Sequence, residues 1–493
     1  MTSSLHGRAG TADNDGPAVT APAQQPIARS ALVPVLALTG IAVAVMQTLT
    51  VPLVADLPRL LNATAADSAW VITATLLSGT VAAPVLGRLG DLYGKRRLIL
   101  ITLGLMVVGS LISGFTSDLV PMIVGRAVQG IALGAIPLGI GIIWEQVRPE
   151  RRGTAVALMS SSVGVGGALG IPAAALVAQN LDWHWLFFGT AGLGVIAMIG
   201  LAVVVRESPD RAAGRFDTVG ALGLTLGLVA LLLAVSKGAD WGWGSVLTLG
   251  LFAAALVVLL LWGLHELRTG DPLLDLRSAS RRQVLLTNLA AITVGLAFFA
   301  ITLVLPQLLQ LPTSTGYGLG LSLVSAGMCG ASMGLSMMVV APLAARLSAA
   351  RGPKTALILG LAVLAFAYLA GMALLGAVWQ IVLVAALAGA GVGIAYAAMP
   401  ALILGAVDPA QTGAANGLNA LMRSVGTSVS SAVIGVVLSS TAQRTGSGEV
   451  PTLEGFRLAF GIAAGAALLG LVLAFFLPAR SREPCQQQAS GVR

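Results

Sequence analysis

The sequence predicts an all-α membrane protein with fourteen transmembrane helices, and three observations lead there. Of its 493 residues 56% are hydrophobic and only 10% are charged, against about 25% charged in a soluble domain. Apolar stretches long enough to cross a bilayer, which takes about 20 residues at 1.5 Å each, recur along nearly the whole chain. Lys and Arg collect in alternate connections between those stretches, as cytoplasmic loops require, although the inner loop between spans twelve and thirteen has none.

The candidate spans lie near 32–54, 69–89, 97–116, 119–145, 153–178, 185–205, 217–236, 245–265, 284–309, 321–345, 355–376, 378–405, 413–440 and 457–477. Two separations are short: only Ser117-Asp118 interrupts 97–145, and only Gly376 to Trp379 interrupts 355–405. An even number of spans puts both termini on one side. With that side cytoplasmic, the inner loops and tails hold every Lys and Arg except six. Arg59, Lys237, Arg444 and Arg457 fall outside, and Arg126 and Arg423 fall within spans. Trp183, Trp185, Trp241 and Trp243 sit in or beside outer loops, where interfacial aromatics belong. The chain is therefore expected in the inner (plasma) membrane, multi-pass, with both termini cytoplasmic and the lipid bilayer as its surroundings.

That topology accounts for the net charge of +8. The basic residues form small clusters between apolar segments rather than one basic face, so no nucleic acid is expected. Cys329 and Cys485 are far apart and in no metal-ligand or redox spacing, so neither a disulfide framework nor a metal site is read. The first residues are rich in Ala, Pro, Gly, Ser, Thr and Asp and read as a disordered cytoplasmic tail. No short apolar core near the start marks a secretory signal; the first apolar stretch, Ala31 to Ala55, is long enough to span.

The two ends of the chain repeat each other. VAAPVLGRLGDLYGKRR at 81–97 aligns with VVAPLAARLSAARGPKT at 339–355, pairing Pro84 with Pro342, Arg88 with Arg346 and Gly94 with Gly352. Pro149, Gly153 and Gly166 pair in the same way with Pro409, Gly413 and Gly426, and Gly130-x-x-x-Gly134 with Gly389-x-x-x-Gly393. Spans one to six thus match spans nine to fourteen. The divisions read are a tail (1–30), a six-helix bundle (31–206), two inserted helices with a linker (207–283), a second six-helix bundle (284–478) and a tail (479–493). The linker, ELRTGDPLLDLRSASRRQ, reads as an interfacial amphipathic stretch.

Two six-helix bundles in parallel repeat resemble the plan of the major facilitators, whose substrate path runs along the bundle interface. GRLGDLYGKRR at 87–97 resembles the family signature between the second and third helices. In the family that aspartate caps a helix of the opposite bundle and latches the outward-open state. The resemblance implies a conformational latch of Gly87, Asp91, Gly94, Lys95 and Arg96. Its target is the start of span thirteen near Gly413, where the helix dipole is positive. The residues alone also fit an ordinary basic loop with a glycine turn.

Arg126, in GRAVQGIALG, resembles the family's fourth-helix arginine motif. Two readings stand, a functional charge and a structural pair or snorkelling arginine. Asp56, at the outer end of span one, is its candidate partner, so that Arg126 reads protonation of Asp56. Asp56, Arg126, Gln129 and Arg423 are the residues assigned to proton coupling or the substrate path.

GVGGALGIPAAALV at 164–177 resembles the antiporter motif of drug exporters, with Gly166, Gly170 and Pro172 as its carriers. It departs from the pattern in that Ile171 intervenes before the proline, and Ala173 and Ala174 stand where the family has glycine. Close helix packing alone explains the same glycines. NGLNALMRSVG at 416–426 resembles the matching helix of the fourteen-span drug exporters. Arg423 lies roughly 15 Å deep, where it contacts either backbone and the first bundle or an anionic, acceptor-rich substrate group. Such exporters carry an acidic residue in span one; here Met46 and Gln47 stand in its place. Glu145 reads as a loop-facing charge near Arg148, Arg151 and Arg152.

The resemblance is to the fourteen-span drug:proton antiporter branch. It implies a monomer that exports small amphipathic substrates by alternating access in exchange for protons. Few deep carboxylates and two deep arginines favour neutral or anionic substrates. No P-loop motif occurs and no cofactor is expected. His6, His184 and His265 are scattered, so no enzyme site is read. Export without proton coupling, and a non-transporting sensor on the same fold, remain as alternatives.

Overall fold

The computed structural model describes residues 26–53, 56–207, 211–445 and 448–478; the expected tails lie outside the described residues except for 26–30. It contains fourteen helices long and apolar enough to cross a membrane. They are α1 (Ala31–Leu53), α2 (Trp70–Tyr93), α3 (Lys95–Gly114), α4 (Leu119–Gln146), α5 (Pro149–Asn180), α6 (Trp185–Val204) and α7 (Thr218–Trp241). The second half holds α8 (Val246–Arg268), α9 (Arg282–Gln310), α10 (Leu323–Arg351), α11 (Pro353–Ala373), α12 (Val378–Leu404), α13 (Thr412–Ser440) and α14 (Leu453–Phe475). Helices dominate because a bilayer interior offers no water to satisfy backbone groups, so each segment must close its own hydrogen bonds.

Two apolar cores form from separate stretches of chain. Leu36, Met46, Ile99, Met106, Met159 and Phe187 belong to the first, within α1 to α6. Val294, Leu308, Met337, Tyr368, Met399 and Phe460 belong to the second, within α9 to α14. The architecture is two six-helix bundles with the α7–α8 hairpin between them in sequence. α7 packs where α2 and α13 meet: its Ala221, Leu224 and Leu228 lie with Val81, Val85, Ala414 and Leu421. α8 lies outside α7 and exposes Leu256, Leu260 and Leu264, an apolar face suited to lipid. His265 and Asp217, 2.9 Å apart, tie the two helices at their Lys/Arg-rich end.

The bundles meet along two seams, α5 against α10 and α2 against α13. Membrane helices gain nothing from expelling water between them and rely on close packing of small residues. A Cβ on Gly334 would lie 2.0 Å from the Gly164 carbonyl oxygen, and one on Gly417 2.5 Å from that of Ala83. Within the first bundle, Gly130 and Gly134 let α4 press on α2, where a Cβ would meet the Thr75 oxygen at 2.3 Å or Leu86 at 2.5 Å. α4 tightens to a 3-10 turn at Ile131–Gly134 in that stretch.

Two expectations change. The 87–97 segment is almost wholly helical: α2 runs to Tyr93, α3 starts at Lys95, and Gly94 alone makes the turn, at φ 108°. Basic residues fit a helix start poorly, but Glu207 accepts from the Arg96 and Arg97 amides at 3.2 and 3.3 Å and offsets this. Gly352, the repeat partner of Gly94, makes the same turn at φ 87°. The linker after α8 does not lie as a membrane-surface helix. Its one helical segment is Leu276–Ala279, and Leu273 and Leu274 are buried against α7 and α13. A short hairpin, β1 (Ala442–Thr445) with β2 (Gly448–Pro451), joins α13 to α14 and receives the Tyr317 hydroxyl on the Pro451 oxygen at 2.5 Å.

Candidate functional site

At the Lys/Arg-rich end of the α2–α13 seam, the last turn of α2 reaches the first turn of α13. Asp91 accepts two backbone hydrogen bonds there, from Gly413 N at 2.9 Å and Ala414 N at 2.8 Å. A helix start leaves its first amides unpaired, and Asp91 caps them from the other bundle. Approach this close needs glycine: a Cβ on Gly87 would stand 2.3 Å from the Gly413 oxygen, and one on Gly413 2.5 Å from that of Gly87.

Lys95, one turn beyond Asp91, lies 2.8 Å from the Asp91 carboxylate and 2.6 Å from Glu145. Thr412 donates to the same Glu145 oxygen at 3.4 Å. The first turn of α13 is thus held by Asp91 from α2 and Glu145 from α4, with Lys95 between the two carboxylates. All three charged side chains are buried. Lys95 and the two amides pair Asp91 and one Glu145 oxygen, while Glu145 Oε2 is buried without a hydrogen-bond partner among the described residues.

Glu145 is therefore not a loop-facing charge beside Arg148, Arg151 and Arg152. It points along α4 into the seam, because a residue one turn from a helix end faces whatever that side of the helix packs on. Its sequence signal was faint: one carboxylate at an inner span end beside a basic loop. Arg96, assigned with the cluster, faces away from it and donates to Ala202 O at 2.8 Å at the end of α6. Gly94 likewise stands against Glu207. Arg88 is buried, and beside it lies a cavity of about 410 Å³ lined also by Asp271, Asp408 and Ala414.

Arg126 is buried within the first bundle and takes its acceptors from three directions. It donates to Met46 O at 3.1 Å, Val71 O at 3.3 Å, Thr50 Oγ1 at 3.4 Å and Gln129 Oε1 at 2.7 Å. Gln129 passes the network on to Ser110 Oγ at 2.6 Å, with Thr190 behind it at 3.3 Å. Asp56 is not its partner. It stands beyond the end of α1, half exposed, 3.7 Å from Arg59. The position opposite Arg126 in α1 is the Met46 carbonyl. Asp56→Asn is accordingly expected to leave transport within about twofold of wild type in energised vesicles, since an exposed pair contributes little; a tenfold loss would restore Asp56 to the site.

Gly166 and Gly170 pack α5 on α1: Cβ atoms there would meet Ala44 Cβ and Thr48 Oγ1, each at 2.3 Å. They lie inside the first bundle. The inter-bundle contact of α5 falls to its neighbours Gly164 and Ala168 against Gly334, and to Ile171 beside Pro172 against Gly327. α5 runs unbroken through Pro172.

In the second bundle Arg423 stacks on Tyr396 of α12, its guanidinium carbon 4.6 Å from the ring centre. Phe298 of α9 lies 6.0 Å from the same ring. One turn along α13, Asn419 donates to Asn288 of α9 at 3.1 Å. Among the described residues no three His, Cys, Asp or Glu side chains gather as a metal site would need.

The family profile described as Major Facilitator Superfamily matches residues 36–318 and 289–491. The puromycin resistance protein pur8 of Streptomyces alboniger is 31% identical over 445 residues, covering 86% of each chain. Multidrug resistance protein 3 of Bacillus subtilis is 25% identical over 378 residues, 75% of this chain and 72% of that one. Among solved structures, the human organic anion transporter MFSD10 superposes with a TM-score of 0.65 at 16% identity, over 92% of this chain and 100% of that one, which is a likeness of fold alone. With its two six-helix bundles and fourteen spans, the chain belongs to the major facilitator superfamily, is similar to that family's multidrug- and antibiotic-resistance members, and is a membrane transporter.

Proposed function

We propose that the protein exports amphipathic small molecules, drugs or antibiotics and secondary metabolites among them, by alternating access in exchange for protons. The observation that carries this reading is the cap of Asp91 on the amides of Gly413 and Ala414. It joins the two bundles at one end of the membrane through a few concentrated polar contacts. Release of such a contact can let the two bundles rotate apart as rigid bodies.

Residues 31–206 and 284–478 are the two rocking bodies, with the inserted hairpin of 207–283 beside the seam. Gly87, Asp91, Lys95 and Glu145 form the latch, and Gly94 and Arg96 set the entry of α3 next to it. The Lys/Arg-rich end is cytoplasmic, in the plasma membrane, because retention of basic loops fixes orientation. The latch then holds the cytoplasmic side shut, and its release admits substrate from within. Arg126 and Gln129 hold the polar core of the first bundle, and Arg423 faces the path in the second. The relatives named for resistance to puromycin and to multiple drugs support the substrate class. Each bundle closes its own core, so the monomer is the working unit.

A second reading, export without proton exchange, is favoured by one feature: the carboxylates within spans all stand at helix ends. Everted vesicles holding an inside-acid gradient separate the two. Puromycin and other amphipaths are expected to dissipate the gradient in vesicles that contain the protein. Accumulation of drug with the gradient untouched would leave the uniport reading; no movement of any compound, with folded protein present, would overturn export altogether.

A further inference from the structure

We infer that Arg423, Tyr396 and Phe298 form an anion-selective aromatic subsite, and that the substrates are planar aromatic amphipaths carrying an ionised acid group. The inference rests on the exporter reading in placing this cluster on the substrate path.

α13 has three differently occupied sides. Gly413 and Gly417 pack on α2. Gly426 and Asn419 pack on α9, against Ile292 and Asn288. Between those directions, at intervals of three and four that share one helix face, stand Thr412, Asn416, Arg423, Thr427 and Ser430. Thr412 reaches Glu145 of α4 and Arg423 reaches Tyr396 of α12, so this face looks across to the first bundle and along the second. It is the polar wall of the bundle interface.

Arg423 is eleven residues from the start of α13, about 16 Å into the membrane. A charge at that depth calls for a counter-ion or a set of acceptors. Arg126 has such a set. Arg423 does not: its recorded contact among the described residues is the face of Tyr396, and no carboxylate, carbonyl or hydroxyl accepts from it. The carboxylates of residues 284–478 are Asp408 and Glu454, at helix ends, and Glu449, in the β2 strand. Arg423 as a whole residue is half-buried rather than fully sealed.

An arginine stacked by one face on a ring keeps its in-plane N–H groups free. These form a planar fork that matches a carboxylate, sulfonate or enolate in two parallel hydrogen bonds. Phe298, partly exposed, offers flat apolar contact for an aromatic body, and Tyr396 is buried behind the guanidinium as its support. A substrate cation would meet an uncompensated positive charge there, with Asn416, Asn419 and Thr427 too weakly polar to offset it. An anion leaving the cell and a proton entering it both move with an interior-negative potential, so the two gradients act together on such a substrate.

The test uses the full chain in lipid nanodiscs and three probes with one ring system and different charge: 2-naphthoate, 2-naphthamide and protonated 2-naphthylmethylamine. Equilibrium binding of the naphthoate is expected to be at least tenfold tighter than that of the other two. Arg423→Gln brings naphthoate down to the level of naphthamide. Arg423→Lys keeps part of the preference, having charge without the planar fork. Tyr396→Leu weakens naphthoate more than Arg423→Lys does, by loss of the stacked support. Equal binding of all three probes, preference for the cation, or an anion preference that survives Arg423→Gln would each overturn the subsite. Arg423→Lys provides the decision if Arg423→Gln fails to fold. Because binding is read without transport, an anion preference in a protein that moves no compound would leave the subsite and sink the exporter reading. Transport of amphipaths with no anion preference would do the reverse.

Discussion

Asp91→Asn is expected to reduce export at least tenfold while the protein stays inserted and monodisperse. The carboxylate accepts from Gly413 N, Ala414 N and Lys95 together. An asparagine offers one acceptor oxygen and one NH₂ group, which cannot serve a backbone amide. One amide of α13 is left unpaired, and Lys95 keeps Glu145 alone. Leaving a buried amide unpaired costs about 1–3 kcal/mol, and only in the conformation where the two ends touch. The loss therefore falls on one side of the conformational equilibrium. About 2 kcal/mol shifts such an equilibrium by roughly 30-fold, enough to hold the Lys/Arg-rich end open. Spin labels at Tyr93 and Val407 report it: the wild type is expected to show a short distance and Asp91→Asn a longer, broader one. An unchanged distance distribution together with unchanged export would remove Asp91 from the latch.

Gly87→Ala is expected to give the same phenotype by a different route. The added methyl would stand 2.3 Å from the Gly413 oxygen, well inside van der Waals contact. The obstacle is backbone and cannot rotate away, so α2 and α13 must separate by about 1 Å and both Asp91 hydrogen bonds stretch. Export is expected to fall about tenfold. Gly104→Ala is the control, since a Cβ there meets nothing within 4 Å; its melting temperature and transport should match wild type. Gly87→Ala with Asp91→Asn should be no worse than either alone, because both remove one contact and coupled sites do not add. Additive losses would mean that Gly87 acts elsewhere.

The membrane fold was legible in the sequence because hydropathy and charge act on each segment separately. A run of about 20 apolar residues must become a helix in lipid whatever its neighbours do, so fourteen spans could be counted without knowing what touches what. The glycine turn of Gly94 and its repeat partner Gly352 was legible for a similar reason, since backbone geometry at a positive φ is a local property. That Asp91 meets the start of α13 came from the resemblance of 87–97 to the family signature, and the unpaired amides of a helix start give that contact its physical reason.

Partners inside the membrane were another matter. Asp56 and Arg126 are near each other in any diagram of the spans, yet Arg126 turns to the carbonyls of Met46 and Val71 while Asp56 faces outward. Gly166 and Gly170 read as one small-residue face, but which helix that face meets is set by rotation about the α5 axis. It meets α1, and Gly164 two residues earlier meets α10. Glu145 looked like part of a basic loop until α4 was seen to aim it at Lys95 and Thr412. The stack of Arg423 on Tyr396 joins two consecutive helices and Phe298 adds a third from far earlier in the chain, and nothing local in any of them announces it. The sequence by itself determined how many times the chain crosses, which segments cross and where its basic ends lie, because transfer into lipid is additive over a segment. Only the tertiary structure decided which buried charges meet, because that depends on helix rotation and close approach, to which hydropathy is blind.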